Sequence, residues 1–318
     1  MDEKYMRRAL ELAAHGELDA SPNPMVGAVI VDASGRIIGE GWHRRCGEGH
    51  AEVNAVASVA DQEALKDSTM YVTLEPCSHY GKTPPCAELI VRTGIPRVVI
   101  GTLDPFAKVS GRGVARLREA GVEVEVGMLE KECQELNRKF MTAHRCRRPN
   151  VTLKWAQSAD GFIDGHISTP LNSMLVHKLR ATHDAILVGS GTALADNPGL
   201  DTRLYAGKSP VKVVLDRRGR VGNDLRMFSD GETVVMRDYS SLADAMERLY
   251  ERGITSVLVE GGATLHRSFI EDNLWDEIRI EVSPDDIYGQ VRAAELPETD
   301  IIPNIKTVDG HRIITYRK

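Results

Sequence analysis

The segment HAEVNA (residues 50–55) places a histidine and a glutamate two positions apart at the start of an apolar, helix-like stretch. The segment EPCSHYGKTPPCAELI (residues 75–90) lies farther along the chain, and in it Cys77 and Cys86 each follow a proline. Histidine and cysteine are preferred zinc ligands, and catalytic zinc sites usually keep three protein ligands and an open fourth position. The sequence therefore predicts a zinc site formed by His50, Cys77 and Cys86.

Glu52 is the candidate catalytic residue of this site. It lies two residues after His50 on the same predicted helix, so its carboxylate can reach a zinc-activated water without binding the metal. From there it can take a proton from the water and deliver it to a leaving group. A His-x-Glu motif followed by Pro-Cys and a second cysteine is typical of zinc-dependent base deaminases.

Other interpretations of the same residues stay open. A single His-x-Glu motif is more often the start of a surface helix, and Cys77 and Cys86 could be buried thiols without a metal. Cys46 or His79 could also supply a fourth ligand, which would close the site and make the zinc structural.

Length and composition indicate a folded protein with two domains. The 318 residues are about twice the length of a common single domain. A hydrophobic content of 42% and a charged content of 27% are those of an ordinary globular protein. The net charge of −6 argues against binding to a polyanion, so we expect a small-molecule partner and no nucleic acid.

The N-terminus lacks the apolar core of a signal peptide, and no window reaches 18 consecutive apolar residues. We therefore expect a cytoplasmic protein that does not enter a membrane. An odd number of cysteines in such a chain favours free thiols or metal ligands over disulfides, and we interpret Cys133 and Cys146 as packing or surface thiols.

The first half of the chain alternates between predicted helices and strands. A helix is expected over residues 5–14, then a β-hairpin over residues 25–41 with the turn DASG. The later pattern predicts helices at residues 50–59, 85–93 and 114–120, with strands at residues 69–76 and 97–104. This is an α/β pattern, and it predicts a largely parallel sheet.

A second α/β series begins after the basic stretch HRCRRPN (residues 144–150). Its predicted strands are VTLKWAQSADG, AILVGSG, VKVVLD, TVVM, SVLVEGG and EIRIEVS, and a helix is expected over residues 171–181. We therefore predict two domains, residues 1–145 and 150–318.

The cysteine spacing narrows the deaminase class. Eight residues separate Cys77 from Cys86, whereas the general deaminase pattern has two. Together with PNPMVGAVIV and GEGHAEVNA, this insertion resembles the riboflavin-biosynthesis deaminase. The second half resembles the reductase that is joined to it in bifunctional bacterial enzymes, through KWAQSADG, HDAILVGSGTALADNPGLDTR and VEGGATL. The resemblance implies a cytidine-deaminase-like domain followed by a dihydrofolate-reductase-like domain.

By this resemblance the chain has two activities. The first domain would deaminate 2,5-diamino-6-(5-phosphoribosylamino)pyrimidin-4-one by hydrolysis with Zn²⁺. The second would use NADPH to reduce the ribosyl group of the product to a ribityl chain. The implied partner is a phosphorylated pyrimidine, and we expect a homo-oligomer.

The resemblance also implies binding residues. In the first domain the substrate would meet a set of loop residues: Asn23, His43, His79 and Lys82. In the second domain the substrate residues would be Lys154, Arg180, Leu200, Arg203 and Glu260. The cofactor residues would be Ala156, His166, Thr192, Asp196, Gly262, Ala263 and Thr264.

Glycine motifs and an arginine cluster in the second half indicate how it could bind a cofactor. The partial glycine motif in VGSGTALAD has Leu194 at the third glycine position, so it is not a dinucleotide fingerprint. The Gly261–Gly262 pair at the end of a strand can bring helix N–H groups close to a phosphate. The cluster DRRGR (residues 216–220) predicts a preference for NADPH, because arginines can bind its 2′-phosphate.

This chain also departs from the family pattern at two places. His166 lies where the family has a tryptophan, and SPDDIYGQVRAAELPE (residues 283–298) lacks the glycine-rich ILG loop. Both departures affect the reductase site.

Two alternative functions share parts of this pattern. A nucleic-acid base deaminase would need a basic, aromatic groove, which the net charge and the few aromatic residues do not indicate. A zinc-stabilised nucleotide sensor would need closed metal coordination, and the presence of Glu52 argues against it.

Overall fold

The structure is a computed structural model that describes residues 2–80, 84–105 and 110–318. The chain forms two compact units, Met1–Cys146 and Arg147–Lys318, each with its own sheet. Lys82 lies outside the described residues. Across the described part of the chain, no helix has both the length and the apolar character that a membrane crossing requires.

The first unit contains a five-stranded sheet in the order β2-β1-β3-β4-β5. Its strands are β1 (Gly27–Val31), β2 (Ile37–Trp42), β3 (Thr69–Leu74), β4 (Arg97–Thr102) and β5 (Glu123–Val126). Strand β1 is antiparallel to both β2 and β3, while β3, β4 and β5 are mutually parallel.

Among the described strands of this sheet, β2, β3, β4 and β5 run in one direction and β1 is antiparallel to them, so the expected largely parallel sheet with a β-hairpin is confirmed for this unit. The tight turn after β1 forces β2 to run antiparallel to it. The connection from β2 to β3 contains a helix and returns the chain parallel to β2. Strand β1 therefore lies between two strands that both run antiparallel to it.

Six α-helices and one 3₁₀ helix (Gln62–Asp67) complete the described secondary structure of this unit. The α-helices are α1 (Glu3–Ala14), α2 (Ala51–Ser58), α3 (Cys86–Thr93), α4 (Arg112–Glu119), α5 (Glu130–Leu136) and α6 (Arg138–Cys146). Successive residues of β1 point to opposite faces of the sheet and belong to different core clusters. Val29 packs with α1, and Ile30 packs with α2 and α3. The predicted helices are confirmed within a few residues, but β5, α5 and α6 were not predicted.

The second unit contains an eight-stranded sheet in the order β12-β13-β11-β6-β10-β7-β8-β9. Its strands are β6 (Asn150–Gln157), β7 (Ala185–Gly189), β8 (Val211–Leu215), β9 (Thr233–Met236), β10 (Ser256–Val259), β11 (Glu277–Val282), β12 (Asn304–Val308) and β13 (His311–Arg317). The six strands from β11 to β9 are parallel, and β13 and β12 extend the sheet as an antiparallel hairpin.

Four helices complete the described secondary structure of this unit, apart from one short 3₁₀ turn. They are α7 (Pro170–Ala181), α8 (Ser190–Asp196), α9 (Leu242–Glu251) and α10 (Ala263–Glu271). Thr169 caps α7 by accepting the N–H of Asn172, and Pro170 occupies the first turn. Helices α8 and α10 start at the carboxyl ends of the strands β7 and β10. This edge of a parallel sheet is where ligands commonly bind.

Candidate active sites

Three side chains from different elements converge in the first unit. His50 is the N-cap of α2, Cys77 lies in the loop after β3, and Cys86 begins α3. Their donor atoms all lie within 4.8 Å of one another. The sulfur atoms of Cys86 and Cys77 are 3.3 Å and 3.6 Å from Nδ1 of His50. One nitrogen and two sulfurs in this arrangement fit a zinc ion with a fourth position left for water.

The local structure favours thiolates at this site. The backbone N–H of Cys86, at the N-terminus of α3, donates to the sulfur of Cys77 at 3.3 Å. Hydrogen bonds from Cys86 and His50 lower the pKa of the Cys77 thiol to about 4. A thiolate is the form that binds metal. Within the described part of the chain, neither Cys46 nor His79 belongs to the group of converging donors.

Glu52 is in the first turn of α2, and its side chain is buried beside the metal ligands. Burial raises the pKa of its carboxyl to about 6, and the charge of His50 partly offsets this effect. A carboxyl with a pKa near neutrality can both accept and return a proton. The structure therefore brings the predicted proton carrier and the three predicted ligands together.

Asn23 and His43 lie next to the metal centre. The imidazole of His43 is 5.4 Å from that of His50 between ring centroids. Its Nδ1 lies 3.2 Å from the carbonyl oxygen of Gly49, so Nδ1 carries the proton and Nε2 accepts from the Asn23 amide at 3.2 Å. This pairing leaves the amide oxygen of Asn23 available to a ligand. His79 is exposed on the loop that contains Cys77.

Glu75 is a buried residue next to the site that the sequence analysis did not select. Its carboxylate accepts the backbone N–H groups of Gly111 and Gly113 at 2.9 Å each. A Cβ at Gly113 would lie 2.1 Å from the carbonyl oxygen of Pro76, so only glycine allows this approach. Glu75 thus fixes the start of α4 against the loop of Cys77. An acidic residue that directly follows an apolar strand was the available signal.

Two cavities lie at the carboxyl edge of the second sheet. The first, which we call the basic cavity, has a volume of about 540 Å³ and is lined by residues that include Lys154, His177, Arg180, Arg203 and Glu260. The second, the glycine-lined cavity, has a volume of about 570 Å³, and its lining includes Gly189, Gly191, Arg217, Arg220, Gly262, Ala263 and Thr264. The two cavities share Thr192 and Gly262.

Most residues selected from the sequence of the second half line these cavities. The basic cavity contains Lys154, Ala156, His166, Arg180, Thr192, Asp196, Arg203, Glu260 and Gly262. The glycine-lined cavity contains Ala263 and Thr264. Leu200 differs from the others, because its side chain is 2% exposed and packs in a core cluster. Leu200 therefore lines neither cavity, unlike the other residues selected from the sequence.

Arg180 and Glu260 form a buried ion pair in the basic cavity. Nε and Nη2 of Arg180 donate to the two carboxylate oxygens of Glu260 at 3.0 Å and 2.7 Å. Nη1 of Arg180 donates to the backbone oxygen of Asp201 at 2.9 Å. Burial lowers the pKa of the nearby Lys154, while the charge of Glu260 acts in the opposite direction.

The glycine pair after β10 allows close packing. A Cβ at Gly261 would lie 2.7 Å from the backbone of both Val188 and Gly189. The N–H of Gly262 donates to Oγ1 of Thr192 at 2.9 Å, which ties the starts of α8 and α10 together. Free N–H groups in the first turn of α10 border the cavity and can bind a phosphate.

Arg217 and Arg220 both line the glycine-lined cavity. The guanidinium of Arg217 lies 4.2 Å from the ring centroid of Tyr239, and Nη2 of Arg220 donates to Oγ of Ser190 at 2.8 Å. The basic cluster selected from the sequence is therefore part of a cavity wall.

The segment FIDGHISTP (residues 162–170), which contains His166, contacts the segment of residues 283–298, so the two places that depart from the family pattern are joined. The carboxylate of Asp164 accepts the N–H groups of Gln290 and Val291, both at 2.8 Å. The N–H of Ile163 donates to the carbonyl oxygen of Val291 at 2.9 Å. Ile163 lines the basic cavity and Val291 lines the glycine-lined cavity, so this joined pair of loops borders both.

Comparisons with known proteins agree with the geometry. Residues 1–102 match the family described as the cytidine and deoxycytidylate deaminase zinc-binding region, and residues 149–301 match the RibD C-terminal domain. The riboflavin biosynthesis protein RibD of Bacillus amyloliquefaciens is 40% identical, over 89% of this chain and 85% of its own. The Escherichia coli K12 protein of the same name is 37% identical, over 89% and 88%.

Solved structures of related proteins resemble this chain over nearly its whole length. A crystal structure from Thermotoga maritima, of a diaminohydroxyphosphoribosylaminopyrimidine deaminase/5-amino-6-(5-phosphoribosylamino)uracil reductase, is 38% identical with a TM-score of 0.88. It covers 99% of this chain and 98% of its own. Acinetobacter baumannii RibD is 32% identical with a TM-score of 0.89, over 99% and 98%.

These findings confirm the fold class and the resemblance inferred from the sequence, and they do not favour a nucleotide sensor or a nucleic-acid deaminase. The matched domains are those of a zinc-dependent deaminase and an NADP-dependent reductase. The chain belongs to the RibD family of riboflavin biosynthesis proteins.

Proposed function

We propose that residues 1–145 deaminate 2,5-diamino-6-(5-phosphoribosylamino)pyrimidin-4-one and that residues 150–318 reduce the ribosyl group of the product. The observation that carries this proposal is the convergence of His50, Cys77 and Cys86 beside the buried Glu52. The name of the Thermotoga relative, which covers nearly the whole chain, supports the same pair of substrates.

In the deamination, His50, Cys77 and Cys86 would hold the zinc. When bound, zinc lowers the pKa of a water ligand and makes it nucleophilic near neutral pH. Glu52 takes a proton from the attacking water and delivers it to the exocyclic nitrogen. The carbon–nitrogen bond then breaks, ammonia leaves, and a carbonyl replaces the amine.

The neighbouring residues orient the substrate ring and its phosphate. The amide oxygen of Asn23, which the pairing with His43 leaves available, can accept a hydrogen bond from an N–H group of the pyrimidine. The exposed His79 is on the same loop as Cys77, and we assign it to the ribose phosphate. Lys82 has the same assignment on the basis of sequence alone.

In the reduction, the substrate occupies the basic cavity and the cofactor extends into the glycine-lined cavity. NADPH supplies the hydride. The free N–H groups at Ala263 and Thr264 would bind its phosphates, and Ala156, His166, Thr192, Asp196 and Gly262 would form the adjoining wall. Lys154, Arg180, Arg203 and Glu260 contact the substrate, and Arg180 also holds the Glu260 carboxylate in place. The buried Leu200 supports this site from the core beneath it.

We also propose a compartment, a class of substrate and an oligomeric state for the enzyme. All five cysteines are free, which suits a reducing compartment such as the cytoplasm. The net charge of −6 supports a small-molecule substrate over nucleic acid. We also propose a homo-oligomer, which light scattering on the purified protein tests.

One experiment tests both reactions. Purified zinc-loaded protein is incubated with the diaminopyrimidinone phosphate, with and without NADPH, and the products are identified by mass spectrometry. The proposal predicts the deaminated product without NADPH and its ribityl form with NADPH. An unchanged substrate in both reactions would contradict it.

A further inference from the structure

We propose that His177 recognises the phosphate of the reductase substrate through Nε2–H, while its Nδ1 positions the backbone of Leu204. This inference rests on the proposed function of the second unit. It assigns a binding role to a residue that neither the motifs nor the comparisons single out.

His177 belongs to the wall of the basic cavity. It lies on α7 one turn before Arg180, and its residue is 4% exposed. Its side chain lines the basic cavity together with Lys154, Arg180 and Arg203. Three cationic side chains around one cavity suit a phosphate dianion.

The imidazole proton of His177 is on Nε2. The backbone N–H of Leu204 donates to Nδ1 of His177 at 3.4 Å. A backbone N–H can only donate, so Nδ1 must be unprotonated and the neutral ring must carry its proton on Nε2. Burial lowers the pKa of His177, and the charges of Arg180 and Arg203 lower it further against the opposite effects of Asp201 and Glu260. The ring is therefore neutral at neutral pH.

The Nε2–H group of His177 is available to a ligand. Among the described residues, the N–H of Leu204 is the one hydrogen-bond partner of the His177 imidazole, and it contacts Nδ1. In the described part of the chain, Nε2 of His177 is not one of the buried side-chain atoms that lack a partner. An Nε2–H group that is neither paired nor sealed off is accessible from the cavity that its ring lines.

Several of the neighbouring arginine donors are already engaged in hydrogen bonds within the protein. Arg180 donates through Nε and Nη2 to Glu260 and through Nη1 to Asp201. Arg203 donates through Nη1 to the carboxylate of Asp201 at 2.6 Å. The arginines supply positive charge, and His177 adds a donor that needs no protein bond to break. The same ring holds the Leu204 N–H, so one side chain connects the ligand to the turn that contains Arg203.

Two substitutions separate recognition from bracing. His177→Asn can keep an acceptor near the Nδ1 position for the Leu204 N–H but removes the donor at Nε2. His177→Gln reaches the Nε2 position with an amide N–H but loses the Nδ1 acceptor. The first variant should therefore lose phosphate recognition, and the second should retain most of it.

The test uses the full-length zinc-loaded protein with NADPH and measures KM and kcat for the deaminated intermediate and for its dephosphorylated form. His177→Asn should raise KM for the phosphorylated form about ten-fold or more, as expected for one hydrogen bond to a charged group. It should leave KM for the dephosphorylated form and the melting temperature almost unchanged. His177→Gln should lie close to the wild type for both forms.

The outcomes are distinct. An unchanged KM of His177→Asn for the phosphorylated form would overturn the inference while leaving the proposed reduction intact. An equal rise for both forms, or a larger rise in His177→Gln than in His177→Asn, would also overturn it, because His177 would then only brace Leu204. A wild-type protein that reduces neither form would contradict the proposed function and this inference with it.

Discussion

The sulfur of Cys86 lies 3.3 Å from Nδ1 of His50, although 36 positions separate the two residues in the chain. His50 caps α2 and Cys86 begins α3, so the contact joins the starts of two helices that pack on one sheet. Cys77 completes the group from the loop after β3. The metal centre thus depends on the ends of three elements and requires the unit to be folded.

This geometry predicts one zinc per chain. Replacing Cys86 by serine should remove most of the zinc and the deaminase activity, because a neutral hydroxyl is a much weaker zinc ligand than a thiolate. Metal analysis of the purified variant checks this expectation. Cys46→Ser is the matched control, because Cys46 is exposed and lies outside the converging group, so it should keep its zinc. Stoichiometric zinc in the Cys86 variant would show that the ligands are wrong.

The metal centre could be predicted because its residues lie beside local signals. The prolines before Cys77 and Cys86 and the apolar stretch after His50 mark the ends of elements, which sequence patterns show well. The position of β1 between β2 and β3 was not predicted, because it depends on how distant segments pair.

Other features were missed for different reasons. The hairpin of β12 and β13 has a turn signal in Asp309–Gly310, both with positive φ, but its first strand is mostly exposed and lacks an apolar pattern. The Arg180–Glu260 pair joins residues 80 positions apart, and no local pattern marks such a contact. The role of Glu75 depends on N–H groups from a distant loop in the same way.

Arg217 and Arg220 should determine the choice of cofactor. Both line the cavity that also contains Gly262 and Thr264, where a 2′-phosphate would meet their charge. Arg220→Ala should raise the dissociation constant for NADPH about ten-fold or more and leave that for NADH nearly unchanged. Equilibrium titrations that follow nicotinamide fluorescence measure both constants. Arg218→Ala removes the same charge from a neighbouring exposed residue and should have little effect; equal weakening for both cofactors would refute this role.

Asp164 should act through the loop that it holds. Asp164→Asn removes the charge that accepts the N–H groups of Gln290 and Val291. Because Val291 borders the cofactor cavity, KM for NADPH should rise more than kcat falls. Steady-state kinetics of the reduction show this difference. Asp286→Asn makes the same charge change at an exposed position of the same loop, and its KM and kcat should match those of the wild type. If Asp164→Asn showed the same KM and kcat as Asp286→Asn, Asp164 would have no role in holding the loop.

His266 should make the stability of the second unit depend on pH. Burial lowers the pKa of its imidazole from 6.5 to about 4. The unfolded chain therefore binds more protons between these values, and stability that is present above pH 6.5 is lost as the pH falls towards 4. The loss should reach roughly 3 kcal/mol for this single group.

Urea unfolding at several pH values measures this effect. His266→Gln can still donate to the carbonyl oxygen of Val259, which His266 contacts at 3.0 Å, but it does not titrate. The wild type should lose more stability than the variant between pH 6.5 and 4, because the other histidines titrate in both proteins. Parallel curves for the two proteins would show that His266 contributes nothing to the pH dependence.

The central claim is that one chain contains two chemically separate sites, and both half-reactions of Glu52→Gln test it most directly. Glutamine keeps the side-chain volume and leaves His50, Cys77 and Cys86 in place, but it cannot carry the proton. The variant should retain its zinc, lose deaminase activity by about 10²–10⁴-fold, and reduce the deaminated intermediate with NADPH at the wild-type rate. Undiminished deamination, or a loss of both activities in a folded zinc-loaded variant, would contradict the account.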